Sequence, residues 1–345
     1  MPEQTCAVIL AGGEGKRMKS NHPKVVASVL FKPMLQWGMG AADGAGVKEL
    51  CVVTGHKHEQ VEAYLQAAQK PGGANLHHVL QAEQRGTGHA VMMAEPFLRA
   101  HNGGNTLVLN GDAPFVSAEV LKTALAAHVG QGNAVTVISA ELDDPSGYGR
   151  IVRDPATGLV RAIVEQKDAD EATLAVREIN SGAYWFRTDD LLSILGCIRN
   201  DNAQGEYYLT DAVRLLIEQN KNAGAYIASD PAAVMGANDC VQLNSLNEIA
   251  RERVLHAQML AGVEIPCTDG VLIGPDVTIG RSTRILPNTI LRGNTAVGAD
   301  CSIGPSVVLT DCTVGDGASL CFASCEHTNI SSSQAVAPFT VIGTP

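Results

Sequence analysis

The sequence is short of positive charge. Lysine and arginine together number 25, against 36 aspartates and glutamates, and the formal net charge is −11. A protein built mainly to hold nucleic acid favours a basic face, so no nucleic-acid partner is expected. An acidic chain can still bind phosphate where its few cations converge. Long apolar runs are also missing. None approaches the roughly 18 residues of a membrane-spanning helix, so no membrane partner is expected. Residues 1–5 are polar and 6–11 are too short for a signal core, so no secretory segment is expected. The nine cysteines are odd in number and scattered between Cys6 and Cys325. They read as free thiols of a reducing cytoplasm, not as a disulfide framework.

What is present is enough for a sizeable core: 345 residues, 45% of them apolar, a length that suggests two domains. Short runs rich in Val, Ile and Leu (6–12, 49–55, 105–112 and 134–140) read as strands buried on both faces, the pattern of a parallel sheet. Helical patterns lie between them at 33–42, 59–69, 88–96 and 117–128, the last with Ser117 as its cap. This alternation predicts a doubly wound α/β domain. Residues 147–169 read as a hairpin, 178–187 as a further strand and 208–220 as a helix. An amphipathic helix over 243–262 is expected to connect the domains.

The tail has a different period. Ile273, Ile279, Ile285, Leu291, Val297, Ile303 and Leu309 stand six residues apart. Four residues after each stands Val277, Thr283, Thr289, Thr295, Cys301, Val307 or Thr313. A sustained hexapeptide period predicts a parallel β-helix. The register slips at Val314 and is irregular from Cys325, so about four coils are expected at roughly 18 residues each. Small residues at coil corners account for Cys312, Cys321, Cys325 and His327, whose spacing matches no common zinc pattern. Stacking such prisms would bury more core, which points to a homotrimer through the tail.

Residues 9–24, "ILAGGEGKRMKSNHPK", set three glycines and then Lys16, Arg17, Lys19 and Lys24 behind an apolar strand. Backbone N–H groups in such a turn point at an anion. The dinucleotide fingerprint fails, because Met18 stands where its third glycine belongs. The second strand also ends in Thr54-Gly55-His56 without an acid. The P-loop spacing fails as well. A mere tight turn would not need four cations within nine residues. A loop with its own cations suits a triphosphate whose leaving groups must be neutralised.

"LAGGEGKRM…PK" resembles the L-x-x-G-x-G-T-R-M…P-K signature of sugar-1-phosphate nucleotidyltransferases. Further segments narrow the resemblance: "LQAEQRGTGHA" (80–90), "NGDAP" (110–114), "DDPSGYGRI" (143–151), "IVEQKDA" (163–169), "EINSG" (178–182), "NAQGEYYLTD" (202–211) and "GANDCVQL" (236–243). In this order they resemble the uridylyltransferase half of the bifunctional N-acetylglucosamine-1-phosphate uridylyltransferase/glucosamine-1-phosphate acetyltransferase family (GlmU-type). The resemblance covers residues 5–310 and fades beyond.

It implies a Rossmann-like α/β nucleotidyltransferase domain with a mixed, mostly parallel sheet at 1–242. A connecting helix at 243–262 and a short left-handed β-helix at 263–345 follow. The implied partners are UTP and N-acetylglucosamine 1-phosphate, with another hexose 1-phosphate as the alternative. The implied products are UDP-N-acetylglucosamine and pyrophosphate. By the same resemblance Arg17 and Lys24 are catalytic, and Asp112 and Asn238 hold Mg²⁺. Leu10, Ala11, Gly12, Gly13, Gln81, Gly86 and Thr87 bind the nucleotide. Gly149, Glu165, Asn180, Tyr208 and Thr210 bind the sugar.

Two positions depart from the family: Lys16 replaces its usual Thr, and Asn110 replaces a common aromatic residue. His56, His58 and His89 are read as structural. An acyltransferase is suggested by the hexapeptides alone. A non-catalytic paralogue would typically lose Arg17, Lys24 or Asp112, and all three are present. The family's acetyl-transfer motifs R-P-G, N-F-V-E and N-Y-D-G do not occur in the sequence. The expected outcome of a thiol-release assay with acetyl-CoA and glucosamine 1-phosphate is therefore a background rate. Turnover above background would overturn it.

Overall fold

The computed structural model describes residues 4–69, 72–202 and 204–343. Two compact units are present. One runs up to Ala27 and continues over Pro33–Cys240; the other comprises Ser28–Lys32 and the chain from Val241 onward.

The first unit begins with β1 (Thr5–Ala11). After the short strands β2 (Ser28–Val29) and β3 (Lys32–Pro33), of which Ser28–Lys32 belong to the second unit, come α1 (Met34–Gly44), β4 (Glu49–Thr54), α2 (His58–Ala68) and β5 (Asn75–Leu80). Then come α3 (Thr87–Met93), α4 (Glu95–Ala100), β6 (Asn105–Asn110), α5 (Ala118–Gly130) and β7 (Val135–Glu141). The hairpin strands β8 (Arg150–Arg153) and β9 (Val160–Val164) are followed by α6 (Glu171–Leu174) and β10 (Glu178–Arg187). The unit closes with α7 (Thr188–Leu195), α8 (Thr210–Glu218) and β11 (Ala223–Ile227).

The main sheet has the order β11-β7-β10-β6-β1-β4-β5, with β8 and β9 attached alongside β10. It is mixed and mostly parallel. β1 runs parallel to β4 and β6, whereas β10 runs antiparallel to β6 and β7. Successive side chains of a strand face opposite sides, and β1 shows the consequence. Cys6 and Val8 enter a core built with α3, α4, α7 and α8. Ala7, Ile9 and Ala11 enter a second core with α1, α2 and α5. Helices thus cover both faces, and the strands read as continuous apolar runs for that reason.

β5, β11 and α7 are among the elements that are not legible in the sequence. β5 and β11 are edge strands, and the residues of β5 are mostly exposed, which removes the apolar signal. α7 is short and starts directly after β10. The helix expected over 88–96 is two helices, divided at Ala94, with Pro96 in the first turn of α4. Proline has no N–H to donate to the preceding turn, so it starts a helix better than it continues one. Ser117 caps α5 as expected, its Oγ accepting from Val120 N at 3.2 Å.

In the second unit α9 (Cys240–Leu260) leads into a short left-handed β-helix. Its three parallel sheets contain five, four and four short strands. Ile273, Leu291 and Leu309 form one inward column, each paired with the next. Val297 pairs with Val314, where an unbroken repeat would place Gly315. Leu309 pairs with Cys325, where it would place His327. The slip read in the sequence is thus a shortening of the later coils. Cys312 and Cys325 lie in the prism core, and Cys312 Sγ donates to Cys325 O at 3.2 Å.

The small residues of the repeat are not equivalent. Thr283 Oγ1 donates to Gly298 O (2.7 Å) and accepts from Cys301 N (3.0 Å). Thr289 is equally buried, but its hydroxyl has no partner among the described residues. A buried hydroxyl without a partner costs free energy, whereas one that satisfies backbone groups is expensive to remove. Thr283→Val should lower stability by about 1–3 kcal/mol, and Thr289→Val should be neutral or stabilising. Denaturant titration of the two variants checks this; equal losses would contradict it.

Candidate active site

The carboxyl ends of the parallel strands open into a cleft of about 1010 Å³. Open α/β sheets place their ligands at this edge. The first wall is the glycine loop after β1. Gly12 and Gly55 touch so closely that a Cβ on Gly55 would lie 2.6 Å from Gly12 O. Gly12 O accepts from His56 N at 3.0 Å, joining the ends of β1 and β4. Gly15 has φ +62°, and a Cβ there would lie 2.9 Å from Lys24 Cβ. A side chain at 15 would therefore be strained and would displace Lys24. Arg17 is exposed on the cleft rim and makes no ion pair among the described residues. Lys16 also lines the cleft and pairs with Glu14 at 3.1 Å.

Lys24 is the most constrained cation of the cleft. Its ammonium donates to Asp112 Oδ2 and to Asn238 Oδ1, the latter at 3.1 Å. Its side chain is 13% exposed and that of Asp112 22%. Asp112 lies just beyond β6, where Gly111 N donates to Leu10 O at 2.9 Å. A Cβ on Gly111 would fall 2.9 Å from that same oxygen, so glycine is needed for the close approach. Asn238 is brought in by Ala237 N donating to Asp112 O at 3.4 Å. Two oxygens from distant segments therefore converge on one cation. The ammonium is a stand-in that shows the pair suits positive charge. Hard oxygen donors, few in number, with water and phosphate completing the shell, are what Mg²⁺ takes. The residues present fit such an ion.

The second wall is the start of α3. Gly86 has φ +104°, and a Cβ there would lie 2.6 Å from Tyr207 O, so only glycine fits. Gly88 N donates to that same oxygen at 2.8 Å. Thr87 Oγ1 accepts from Leu209 N at 3.1 Å, tying the helix start to the segment before α8. Gln81 is buried at the base of the cleft, and its Nε2 donates to Gly86 O at 3.1 Å.

The far wall carries carboxylates and hydroxyls. Glu165 and Tyr208 face the cleft, together with Asp168 and Glu206. Burial raises the Glu165 carboxyl above its usual pKa, and the charge of Asp168 adds to the effect. Burial also raises the phenol of Tyr208, followed by the charges of Glu206 and Glu165. A Cβ on Gly149 would come within 3.3 Å of the Glu165 carboxylate. Asn180 N donates to Gly149 O at 2.8 Å, and its Oδ1 accepts from Gly182 N at 3.0 Å.

Of the residues singled out in the sequence, the cleft brings together Leu10, Gly12, Gly13, Arg17, Lys24, Gln81, Gly86, Thr87, Asp112, Glu165 and Tyr208. Asn238 joins them through Lys24. Gly149 lies against the Glu165 carboxylate and Asn180 is hydrogen-bonded to Gly149; neither is among the residues lining the cleft. Ala11 points into the core under α1, so only its backbone is placed for binding. Thr210 opens α8 and is outside the lining. Asn110 lines the cleft and donates to Ser181 O at 3.3 Å, beside the bulge between Asn180 and Ala183 in β10. The sequence reading passed over Gln84, Asp168 and Glu206, although each lies inside a quoted motif.

The Nucleotidyl transferase family profile matches residues 6–251, and a profile of six Bacterial transferase hexapeptide repeats matches residues 276–311. "Bifunctional protein GlmU" of Caldanaerobacter subterraneus is 43% identical over 340 residues, covering 99% of this chain and 72% of that protein. The same-named protein of Streptomyces avermitilis is 42% identical over 97% of this chain and 69% of its own length. A crystal structure assigned as a glucose-1-phosphate thymidylyltransferase from Bacillus anthracis superposes with a TM-score of 0.61. It is 20% identical and covers 72% of this chain and 96% of that one, which bears on the fold alone. The chain belongs to the nucleotidyltransferase family, as a GlmU-type member in which that domain is joined to a hexapeptide β-helix.

Proposed function

We propose that the chain transfers a uridylyl group from UTP to N-acetylglucosamine 1-phosphate, releasing pyrophosphate. One observation carries the reading: the cleft has a cationic loop on one side, a carboxylate and hydroxyl wall on the other, and Lys24 with Asp112 and Asn238 between them. A phosphate oxygen of the sugar phosphate attacks the α-phosphorus of UTP in line. A new P–O bond forms, the bond to the β-phosphate breaks, and pyrophosphate leaves with the electron pair. The nucleophile is already ionised at neutral pH, so no general base is needed. Catalysis is positioning and charge neutralisation.

Arg17, exposed on the rim, would grip the leaving phosphates with its planar fork. Lys24 offers its charge where the two anions meet. Asp112 and Asn238 would hold Mg²⁺, which when bound supplies further neutralisation of the triphosphate. Backbone at Leu10, Ala11, Gly12 and Gly13 and the Gln81 side chain receive the base, and Gly86 and Thr87 border the nucleoside. Glu165 and Tyr208 face the sugar hydroxyls, with Gly149, Asn180 and Thr210 supporting them. A carboxylate accepts from hydroxyls, and an amide can both donate and accept. The proposal concerns the uridylyl step, since the acetyl-transfer motifs do not occur in the sequence.

Two further parts belong to the same proposal. Assembly as a homotrimer through the β-helix is supported by its hexapeptide repeats and by the exposed stacked pair Phe322–Phe339, 5.7 Å apart. A cytoplasmic location is supported by nine free cysteines. No helix among the described residues is long and apolar enough to cross a membrane.

The test is pyrophosphate release with UTP and Mg²⁺ across a panel of hexose 1-phosphates. N-acetylglucosamine 1-phosphate should give the highest kcat/KM; a higher value for another hexose 1-phosphate would reassign the substrate. Arg17→Ala should cost on the order of 2–4 kcal/mol of transition-state stabilisation, read mainly in kcat, by analogy with loss of one oxyanion donor. Unchanged turnover in that variant would contradict its role.

A further inference from the structure

Gln81 has two chemically different ends, an NH₂ donor and an oxygen acceptor, and a base reader must present one of them. The choice is made on the protein side. Nε2 lies 3.1 Å from Gly86 O and 3.1 Å from His89 Nδ1. A carbonyl oxygen can only accept, so nitrogen and not oxygen must face Gly86. One N–H is thereby committed. The other points at His89 Nδ1, which accepts it when the ring proton sits on Nε2. Oε1 is left on the opposite side, where a Cβ on Gly12 would fall 2.9 Å away. That oxygen takes no hydrogen bond from any described residue, and Gln81 lines the cleft.

His89 is itself held in place. It lies in the first turn of α3, and its ring is tilted against Tyr207 with centroids 6.0 Å apart. Tyr207 is tied by its backbone to Arg85 O and to Gly88 N, both at 2.8 Å. The strap that shapes the Gly86 corner therefore also fixes the imidazole.

We infer that His89 is a positioning residue that locks the Gln81 amide with its oxygen toward the cleft, and thereby sets the preference for uracil over cytosine. The inference rests on the proposed uridylyl transfer, with Gln81 at the base. Uracil offers N3–H, a donor that Oε1 accepts. Cytosine offers a bare N3, an acceptor that would face Oε1 with no proton between them. Were the amide to turn over, its NH₂ would suit cytosine and oppose the uracil donor. The two hydrogen bonds behind Gln81, to Gly86 O and to His89 Nδ1, thus decide together which pyrimidine is matched in front of it.

The experiment compares kcat/KM for UTP and CTP in the full-length wild type, His89→Phe and His89→Asn. Phe keeps a ring against Tyr207 but accepts no hydrogen bond. Asn places its Oδ1 where His carries Nδ1, and so restores an acceptor. The UTP/CTP ratio should fall by about tenfold in His89→Phe, through a raised KM for UTP with kcat nearly unchanged, and should recover in His89→Asn. His89→Ala serves the same comparison if the Phe variant does not fold. An unchanged ratio in a folded variant lacking the acceptor would overturn the inference, as would equal losses with Phe and Asn. A wild type that turns over but shows no preference for UTP would overturn the reading of Gln81 and this inference with it. A wild type without any nucleotidyl transfer would mark failure of the proposed function itself.

Discussion

The cleft depends on the convergence of Lys24, Asp112 and Asn238. Charge-assisted hydrogen bonds are roughly twice as strong as neutral ones, and this pair is mostly withdrawn from water. The ammonium joins the loop after β1, the end of β6 and the segment before α9. The first two of these are placed by backbone that tolerates no side chain: Gly15 beside Lys24 and Gly111 beside Leu10. Glycine here is a steric requirement of the site, and the sheet edge supplies the rigid frame on which it is built.

Around that centre the cleft is divided by chemistry. Lys16, Arg17 and Lys24 gather at the loop although the chain as a whole is acidic. Glu165, Asp168, Glu206 and Tyr208 face them from the other wall, with Lys167 among them, as Glu14 lies among the cations of the loop. Local convergence of a few cations outweighs a net charge of the opposite sign, because attraction falls with distance and with the screening of exposed charges. In the proposed reaction this division would separate tasks, with phosphate neutralisation at one wall and recognition of hydroxyls at the other. On the same proposal, recognition of the base would fall to the buried Gln81 amide, held by Gly86 O and His89 Nδ1, and to backbone groups.

Much of this was legible in the sequence because the chemistry sits in contiguous runs. "LAGGEGKRM" and "NGDAP" each place a glycine turn directly after a buried strand, so apolar pattern and functional residue fall in one window. The six-residue period from Ile273 to Leu309 is likewise local, and even the slip at Val314 could be read. Edge strands β5 and β11 were missed, since an exposed strand has little apolar pattern to show. The role of His89 was hidden for a different reason. It exists only through the orientation of another side chain, and no residue spacing encodes which end of an amide faces a cleft. Gly149 packs against the Glu165 carboxylate and bonds to Asn180, so these motif residues belong to the same wall without lining the cleft. Sequence motifs mark a neighbourhood without separating its lining from its supports.

The central claim is that Asp112 and Asn238 form a locus for positive charge that serves the bound triphosphate. Mn²⁺ binding followed by electron paramagnetic resonance, on the full chain with UTP present, tests it most directly. The account predicts at least about tenfold weaker Mn²⁺ binding in Asp112→Ala than in the wild type, in line with loss of a charged ligand. Equal affinity in the two proteins would contradict it.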